Sequence, residues 1–186
     1  MICLDLLLVA LLCLVEVSSA QSPNHLIPWQ ITYFNWYRSR HGYNLLNFTV
    51  LDNNTLQVLS DGLNRHLDYP VFPATQVNCV LTWPEPESIS GTIWPCDSVS
   101  SDAWNFEVLD EPSSWLTLRL NRTETMNYNG TTYYKQFESE RSFSGQEFHF
   151  GCGASGSCNH QLNPENPPVF ITQNMTGCYG YCDYIR

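Results

Sequence analysis

Apolar and polar residues alternate along much of this chain. The alternation is clearest in the segments WQITY (29–33), VNCVLTW (77–83), WNFEV (104–108) and LTLRL (116–120). A period of two residues is typical of a β-strand with one buried and one solvated face. Short runs rich in aromatic or β-branched residues predict further strands at 44–50, 55–59, 132–137, 147–150 and 169–172. The pattern therefore predicts about nine short strands.

Turn-forming residues separate these strands. Asn, Asp, Gly, Ser and Pro cluster at 52–54, 61–62, 83–86, 110–113, 127–130 and 163–168, and these residue types favour turns. The one helical prediction is a short turn at 60–67. No repeat or linker divides the chain. Closely spaced short strands predict an all-β fold, an antiparallel β-barrel or sandwich in a single domain.

The aromatic segment WQITYFNWY (29–37) breaks this regularity. Its alternation slips at Tyr33 and Phe34, which predicts either a β-bulge or aromatic side chains on both faces of the strand. An exposed aromatic strip of Trp29, Trp36 and Tyr37 would stack on a sugar or a flat ligand. Most other large aromatic side chains are predicted to fill the core, including Trp83, Trp104 and Trp115.

The first twenty residues have the pattern of a signal peptide. The apolar run LLLVALLCLV (6–15) has the length of a signal-peptide core and is too short to span a bilayer. Small residues at Ser18 and Ala20 predict cleavage before Gln21, although the first residues include no Lys or Arg; an uncleaved anchor is the alternative. We expect residues 1–20 to be a signal peptide and residues 21–186 to form one secreted, extracellular domain.

The charge balance is acidic, with 18 Asp and Glu against 8 Lys and Arg. Loss of Asp5 and Glu16 with the signal peptide would leave 16 against 8, a net charge near −8. Nucleic acids and anionic membranes are bound through clustered positive charge. The acidic surface therefore argues against both as partners.

The segment HFGCGASGSCNH (149–160) places two cysteines between two histidines, so it could be a metal site, a reactive thiol or a stapled loop. An even number of cysteines in an oxidising compartment predicts three disulfides. The spacing fits no compact zinc pattern, and a catalytic thiol would leave an odd cysteine. We therefore predict a disulfide-stapled loop, with no metal and no cofactor. The six cysteines after the signal peptide are Cys79, Cys96, Cys152, Cys158, Cys178 and Cys182.

Five Asn-x-Thr sequons agree with a secretory route and a eukaryotic source. Glycosylation requires exposure, so these positions are predicted on turns or on outward strand faces. We expect sugar on several of them. The sequon asparagines are Asn47, Asn53, Asn121, Asn129 and Asn174.

The order of strands and cysteines resembles the secreted β-barrel family of filamentous fungi typified by the major allergen of Alternaria. WQITYF (29–34) and LNFTV (46–50) are similar to its first two strands. The most specific part runs from Cys79 through IWPC (93–96) and WNFEV (104–108) to LTLRL (116–120), and FGC (150–152) with VFIT (169–172) resembles its end. The likeness covers most of the chain after the signal peptide, and no part of it is a catalytic motif.

The resemblance implies a disulfide between Cys79 and Cys96. The family's second bridge joins its late cysteine, which matches Cys152, to one upstream, and this chain has no cysteine between Cys96 and Cys152. We therefore expect the last four cysteines to tie the tail GCYGYCDYIR (177–186) to the glycine-rich loop. The family's intersubunit cysteine near the amino terminus is also absent, which argues against a disulfide-linked dimer.

Two catalytic alternatives come from the polar residues. A small secreted ribonuclease could use a Glu, a His and an Arg, and a glycosidase would use a pair of carboxylates. For both sets the simpler interpretation is a solvated surface, so no catalytic residue is predicted. The ribonuclease set is Glu147, His149, Arg141, Arg40 and His41, and the glycosidase pairs are Glu85 with Glu87 or Glu138 with Glu140.

The expected function is that of a non-enzymatic secreted protein. The resemblance implies a fungal protein of allergen or effector type that binds plant defence proteins or modulates host immunity. The alternative is an extracellular carbohydrate or small-aromatic-ligand binder. The partner would be a host extracellular protein or a glycan.

Overall fold

The computed structural model describes residues 26–58, 70–97, 102–110, 116–163, 165 and 168–182. These residues form β-strands and no helix, so the all-β prediction is confirmed. The signal peptide (1–20), the helical turn (60–67) and Trp115 lie outside the described residues. The strands are β1 (Trp29–Arg38), β2 (Tyr43–Asp52), β3 (Leu56–Gln57), β4 (Val71–Phe72), β5 (Thr75–Pro84), β6 (Ile93–Pro95), β7 (Asp102–Asp110), β8 (Leu116–Tyr128), β9 (Thr131–Phe143), β10 (Phe148–Cys152), β11 (Cys158–Leu162), β12 (Val169–Ile171) and β13 (Asn174–Tyr179).

The strands form two antiparallel sheets and one short pair. The first sheet has the order β10-β11-β1-β2-β5, and β12 also pairs with β1. The second sheet has the order β13-β9-β8-β7-β6, and β3 pairs with β4. Neither sheet closes on itself within the described ranges. Those ranges also contain no helix long and apolar enough to cross a bilayer.

The buried faces of the two sheets share one aromatic core. Phe48 of β2 meets Phe106 of β7 edge to face, with 5.2 Å between ring centroids. Phe34 of β1 lies 5.1 Å from Phe143 of β9. Aromatic pairs across the sheets add about 0.5–1.5 kcal/mol each beyond the area that they bury. The alternation read from the sequence therefore marks the residues that hold the sheets together.

Two local predictions are confirmed in the backbone. The pairing of β1 with β2 shifts between Ile31 and Tyr33, so a bulge lies beside the predicted slip. Asn129 and Gly130 connect β8 to β9 with φ angles of 50° and 77°. Two successive positive φ angles are the mark of the Asn-Gly hairpin turn, whose twist matches that of its strands.

The bridge between Cys79 and Cys96 is present, as the resemblance implied. Cys79 lies on β5 of the first sheet, and Cys96 directly follows β6 of the second. Beside the bridge, the N–H of Asp97 donates to the carbonyl of Asn78 at 2.9 Å. The bridge therefore ties one edge of each sheet to the other.

The remaining bridges are Cys152–Cys158 and Cys178–Cys182. The prediction that they tie the tail to the glycine-rich loop is wrong, because the register of β10 and β11 sets Cys152 directly opposite Cys158. The segment HFGCGASGSCNH is thus a stapled loop. Of its glycines, Gly156 alone has a positive φ, 78°.

Candidate functional site

A row of charged side chains lies inside the protein. Asp102 of β7, Glu124 of β8 and Lys135 of β9 are direct neighbours across the second sheet. They are only 8%, 1% and 1% exposed. Buried charges are costly unless they are paired. The residues that pair with these three side chains therefore determine whether the row is structural or reactive.

Arg122 of β8 pairs with the carboxylates of this row. Its Nε and Nη2 donate to the two oxygens of Asp102, each at 3.0 Å. Its Nη1 donates to Asp52 at the end of β2, and its Nη2 forms an ion pair with Glu124 that lacks hydrogen-bond geometry. The planar guanidinium fork suits such multiple contacts. One buried cation therefore joins three carboxyl groups from both sheets. We call these four residues, together with Lys135, the ionic cluster.

Burial shifts the pKa values of two members of the ionic cluster. Loss of water raises the pKa of Glu124 to about 8, since the attraction of Arg122 is smaller and the nearby Asp carboxylates repel the charge. Burial also lowers the pKa of Lys135 to about 8, against the attraction of Glu124. The Lys135 ammonium donates to the carbonyl of Tyr181. At neutral pH the Glu124 carboxyl therefore holds its proton.

These shifts predict how stability depends on pH. The folded pKa of Glu124 is about 8 against an ordinary 4.5, so the folded chain holds a proton that the unfolded chain releases between these values. The free energy of unfolding therefore falls as pH rises through this window. For Lys135 the folded value is the lower one, so this free energy rises with pH between about 8 and 10.5.

We expect Glu124→Gln, which mimics the protonated carboxyl, to remove the fall in stability between pH 5 and pH 8, values that lie inside the Glu124 window. Urea unfolding of both proteins at several pH values measures it. Glu138→Gln is the control, because that side chain is 48% exposed. An unchanged slope in Glu124→Gln would contradict the raised pKa.

A cavity of about 280 Å³ borders the ionic cluster. A protonated carboxyl beside an ionised one is an acid–base pair in principle. Here both oxygens of Asp102 accept from Arg122, and Asp52 also accepts from the Trp29 indole at 2.6 Å. The geometry therefore favours a network that joins the sheets over one that acts on a ligand. The cavity is lined by Phe72, Pro73, Ala74, Thr75, Gln76, Asp102, Arg122 and Glu124.

The polar residues considered for ribonuclease chemistry are only partly brought together. Glu147 accepts from Arg141 at 2.5 Å and from the backbone of Ser144 at 2.9 Å, which stabilises the turn before β10. In the described part of the chain, no hydrogen bond or ion pair joins His149 to either residue. Arg40 and His41 are exposed in the loop between β1 and β2.

The glycosidase candidates lie on the surface. Glu138 and Glu140 flank Arg119 at 3.8 and 3.4 Å on the outer face of the second sheet. Glu85 accepts from Asn44 at 2.9 Å, and Glu87 is exposed in the same loop. These pairs act as surface ion pairs and loop contacts. No three His, Cys, Asp or Glu side chains among the described residues are arranged to hold a metal ion.

Along the described strands, the outer face of the first sheet carries no Asp, Glu, Lys or Arg. Outward positions alternate with the buried ones along each strand, and they are occupied by amides, hydroxyls, tyrosines and a few apolar side chains. We call this surface the uncharged face. Its residues are Gln30, Thr32, Tyr33, Asn35 and Tyr37 of β1; Tyr43, Leu45, Asn47, Thr49 and Leu51 of β2; Gln76, Asn78, Val80, Thr82 and Pro84 of β5; His149 and Gly151 of β10; Asn159 and Gln161 of β11; and Phe170 of β12.

The strand register arranges the uncharged face in rows. The amide row runs across five strands through His149, Gln161, Asn35, Asn47 and Val80. At about 4.8 Å between strands, this row is about 19 Å long. A parallel tyrosine row lies two residues along each strand, and it consists of Gly151, Asn159, Tyr37, Leu45 and Thr82.

The prediction of an exposed aromatic strip is wrong for two of its three residues. Trp29 and Trp36 are 0% exposed. Trp29 is held by the ionic cluster, and Trp36 stacks on His160 with ring centroids 4.7 Å apart. Tyr37 is 36% exposed and Tyr33 is 44% exposed. The bulge between Ile31 and Tyr33 shifts the alternation, so that Tyr33 and Tyr37 both lie on the outward side of β1. Trp83 and Trp104 are buried, as predicted.

The outer face of the second sheet differs in charge. Arg119 lies at its centre, 2.9 Å from Glu107 and close to two further glutamates. The sequon residues Asn121 and Asn174 also lie on the second sheet, half-buried and exposed respectively. Asn53 and Asn129 are exposed, and Asn47 is half-buried on the uncharged face. All five sequon asparagines therefore lie in loops, turns or on outward strand faces, and their glycosylation stays a prediction.

Comparison with known proteins adds no relative. No family model matches the chain, and no curated protein or solved structure matches it. The resemblance to the Alternaria allergen family therefore stays a prediction. The class that the coordinates define is a disulfide-bridged all-β protein of two antiparallel sheets.

Sequence reasoning missed both the ionic cluster and the uncharged face. A signal for the first was present, because the period that buries Leu116, Leu118 and Leu120 continues to Arg122 and Glu124. Charged residues normally lie outside, so this continuation of the period does not by itself predict their burial. The uncharged face could be predicted only from the strand order, because that order brings together segments far apart in the chain.

Proposed function

We propose that this protein is a secreted, non-enzymatic binding protein that contacts a host through the uncharged face. The main support is that the described residues of that face include no Asp, Glu, Lys or Arg, in a chain with a net charge of −10. Charge is depleted at the centres of recognition surfaces, and tyrosine is enriched there.

The bridges support a role outside the cell. Three disulfides are typical of a chain that matures in an oxidising compartment, and the apolar run at residues 6–15 agrees with export. A sheet locked by bridges presents its surface with little entropy to lose on binding. The allergen or effector role implied by the resemblance fits such a surface.

The non-enzymatic part of the proposal has support from the contacts of the acidic residues. Glu147 is engaged by Arg141 and Ser144, and Asp102 by Arg122. Hydrolysis of RNA or glycans by the purified protein, abolished by Glu147→Gln or His149→Ala, would overturn it.

A charge placed on the uncharged face tests the proposal. Val80 is 47% exposed in the amide row, so Val80→Asp leaves the core untouched and adds a charge that must be desolvated on binding. We expect about tenfold weaker binding to proteins and cell-wall fragments of plant extracellular fluid. Surface plasmon resonance measures it on captured proteins that carry no sugar at Asn47, because Asn47 is the direct neighbour of Val80 across the sheet.

Thr125→Asp is the matched control, because Thr125 is exposed on β8 of the second sheet. It changes the net charge equally and should leave binding unaltered. Equal loss in both variants would point to general repulsion and would contradict the proposal.

A further inference from the structure

Three amide oxygens of the uncharged face have no hydrogen-bond partner among the residues that the structure describes. The Oδ1 atoms of Asn35, Asn47 and Asn159 are buried, and none of them accepts a hydrogen bond. Asn35 and Asn47 are neighbours in the amide row, and Asn159 is beside Tyr37 in the tyrosine row. An unpaired buried acceptor costs about 1–3 kcal/mol. Rotation of these side chains toward a ligand with hydroxyl donors would remove part of that cost.

The chemistry of the two rows suits a sugar chain. Each amide both donates and accepts, as do the hydroxyl groups of sugars. The exposed ring of Tyr37 offers an apolar face with a polar tip, on which a sugar ring can pack. The rows lack the Arg side chains that anchor many protein interfaces and that an anionic polysaccharide would need. An uncharged, hydroxyl-rich polymer is therefore the complementary partner.

Asn47 lies in the amide row between Asn35 and Val80, and it is also the asparagine of a sequon with Thr49. A glycan on its side chain would leave the sheet between Asn35 and Val80, each one strand away. Neighbouring strands are about 4.8 Å apart, so the first sugar would cover these two residues.

We propose that the uncharged face binds neutral polysaccharide through its amide and tyrosine rows, and that a glycan on Asn47 closes this site. The inference rests on the proposed function, since it names the partner and the regulation of the same face. The glycosylated chain binds weakly, and the chain without sugar at Asn47 binds polysaccharide.

The test uses the full chain secreted from a eukaryotic host, with sequon occupancy read by mass spectrometry. Thr49→Ala removes the sequon and keeps Asn47, whereas Thr49→Ser keeps the sequon. Asn121→Gln removes a sequon from the second sheet and serves as a further control. The probes are cellulose, chitin and β-1,3-glucan particles, with polygalacturonate gel as the anionic comparison.

We expect Thr49→Ala to bind at least one neutral polysaccharide about tenfold more than wild type does. Thr49→Ser and Asn121→Gln should bind like wild type. Thr49→Ala should not bind polygalacturonate. In the Thr49→Ala background, Tyr37→Ala should weaken this binding about tenfold. Tyr134→Ala is the matched control, since Tyr134 is 37% exposed on the second sheet against 36% for Tyr37.

Absence of binding by Thr49→Ala to every neutral polysaccharide overturns the proposal, as does equal loss in both tyrosine variants. The closing of the site by a glycan is contradicted if wild type binds polysaccharide while Asn47 is fully glycosylated. It is also contradicted if wild type carries no sugar at Asn47. If Thr49→Ala binds no polysaccharide while Val80→Asp still weakens binding to host proteins, this inference fails and the proposed function stands. If neither effect occurs, both fail.

Discussion

Replacing Arg122 with Met is expected to lower the free energy of unfolding by about 3–5 kcal/mol. The Arg122 side chain is fully buried, and it pairs with Asp52, Asp102 and Glu124. Its removal would leave Asp52 and Asp102 in the core without the guanidinium that pairs with them. Removing one partner of a buried ion pair costs far more than the pair itself contributes. Urea unfolding followed by tryptophan fluorescence measures the change.

Arg119→Met is the matched control on the same strand. Its side chain is 33% exposed among surface glutamates, so we expect a loss of at most about 1 kcal/mol. Arg122→Lys keeps the charge and loses the planar guanidinium. Its loss of unfolding free energy should lie between those of Arg122→Met and Arg119→Met. If Arg122→Lys unfolds like wild type, or if the two Met variants lose equal stability, the ionic cluster does not hold the sheets together.

Removing the Cys79–Cys96 bridge is expected to cost about 3 kcal/mol in the chain-entropy model. The bridge closes a loop of 17 residues, and it also joins the edges of the two sheets. Both cysteines are buried, so the Cys79→Ala, Cys96→Ala double variant avoids a buried hydroxyl. Denaturant unfolding under oxidising conditions gives the difference from wild type.

The Cys152→Ala, Cys158→Ala double variant is the comparison. Its bridge spans 6 residues within an exposed hairpin that stays paired through β10 and β11, so the expected loss is smaller, about 2 kcal/mol. A larger loss from the hairpin bridge than from Cys79–Cys96 would show that the link between the sheets contributes little.

The strands themselves could be predicted because their signal is local. In β8 the alternation of Leu116, Leu118 and Leu120 with polar residues reports which side of the strand faces the core. The Asn129-Gly130 turn and the bulge in β1 also depend on neighbouring residues only. Later strands with weaker alternation, such as β13, escaped prediction.

The pairing of charges and cysteines could not be predicted in this way. Lys135 meets Glu124 because the hairpin register sets them opposite, and Asp52 reaches Arg122 only when the two sheets pack. Cys178 had several partners available in the sequence, and the fold joined it to Cys182. Each of these contacts depends on distances that the chain alone does not state.

The amino-acid pattern was enough to establish the all-β class, the position of most strands and the cysteines available for bridging, because a two-residue period and turn chemistry are properties of short segments. Packing alone made the ionic cluster and assembled the uncharged face. Both require residues distant in the chain to become neighbours, and the order of strands in a sheet, set by the burial of the whole core, makes them so.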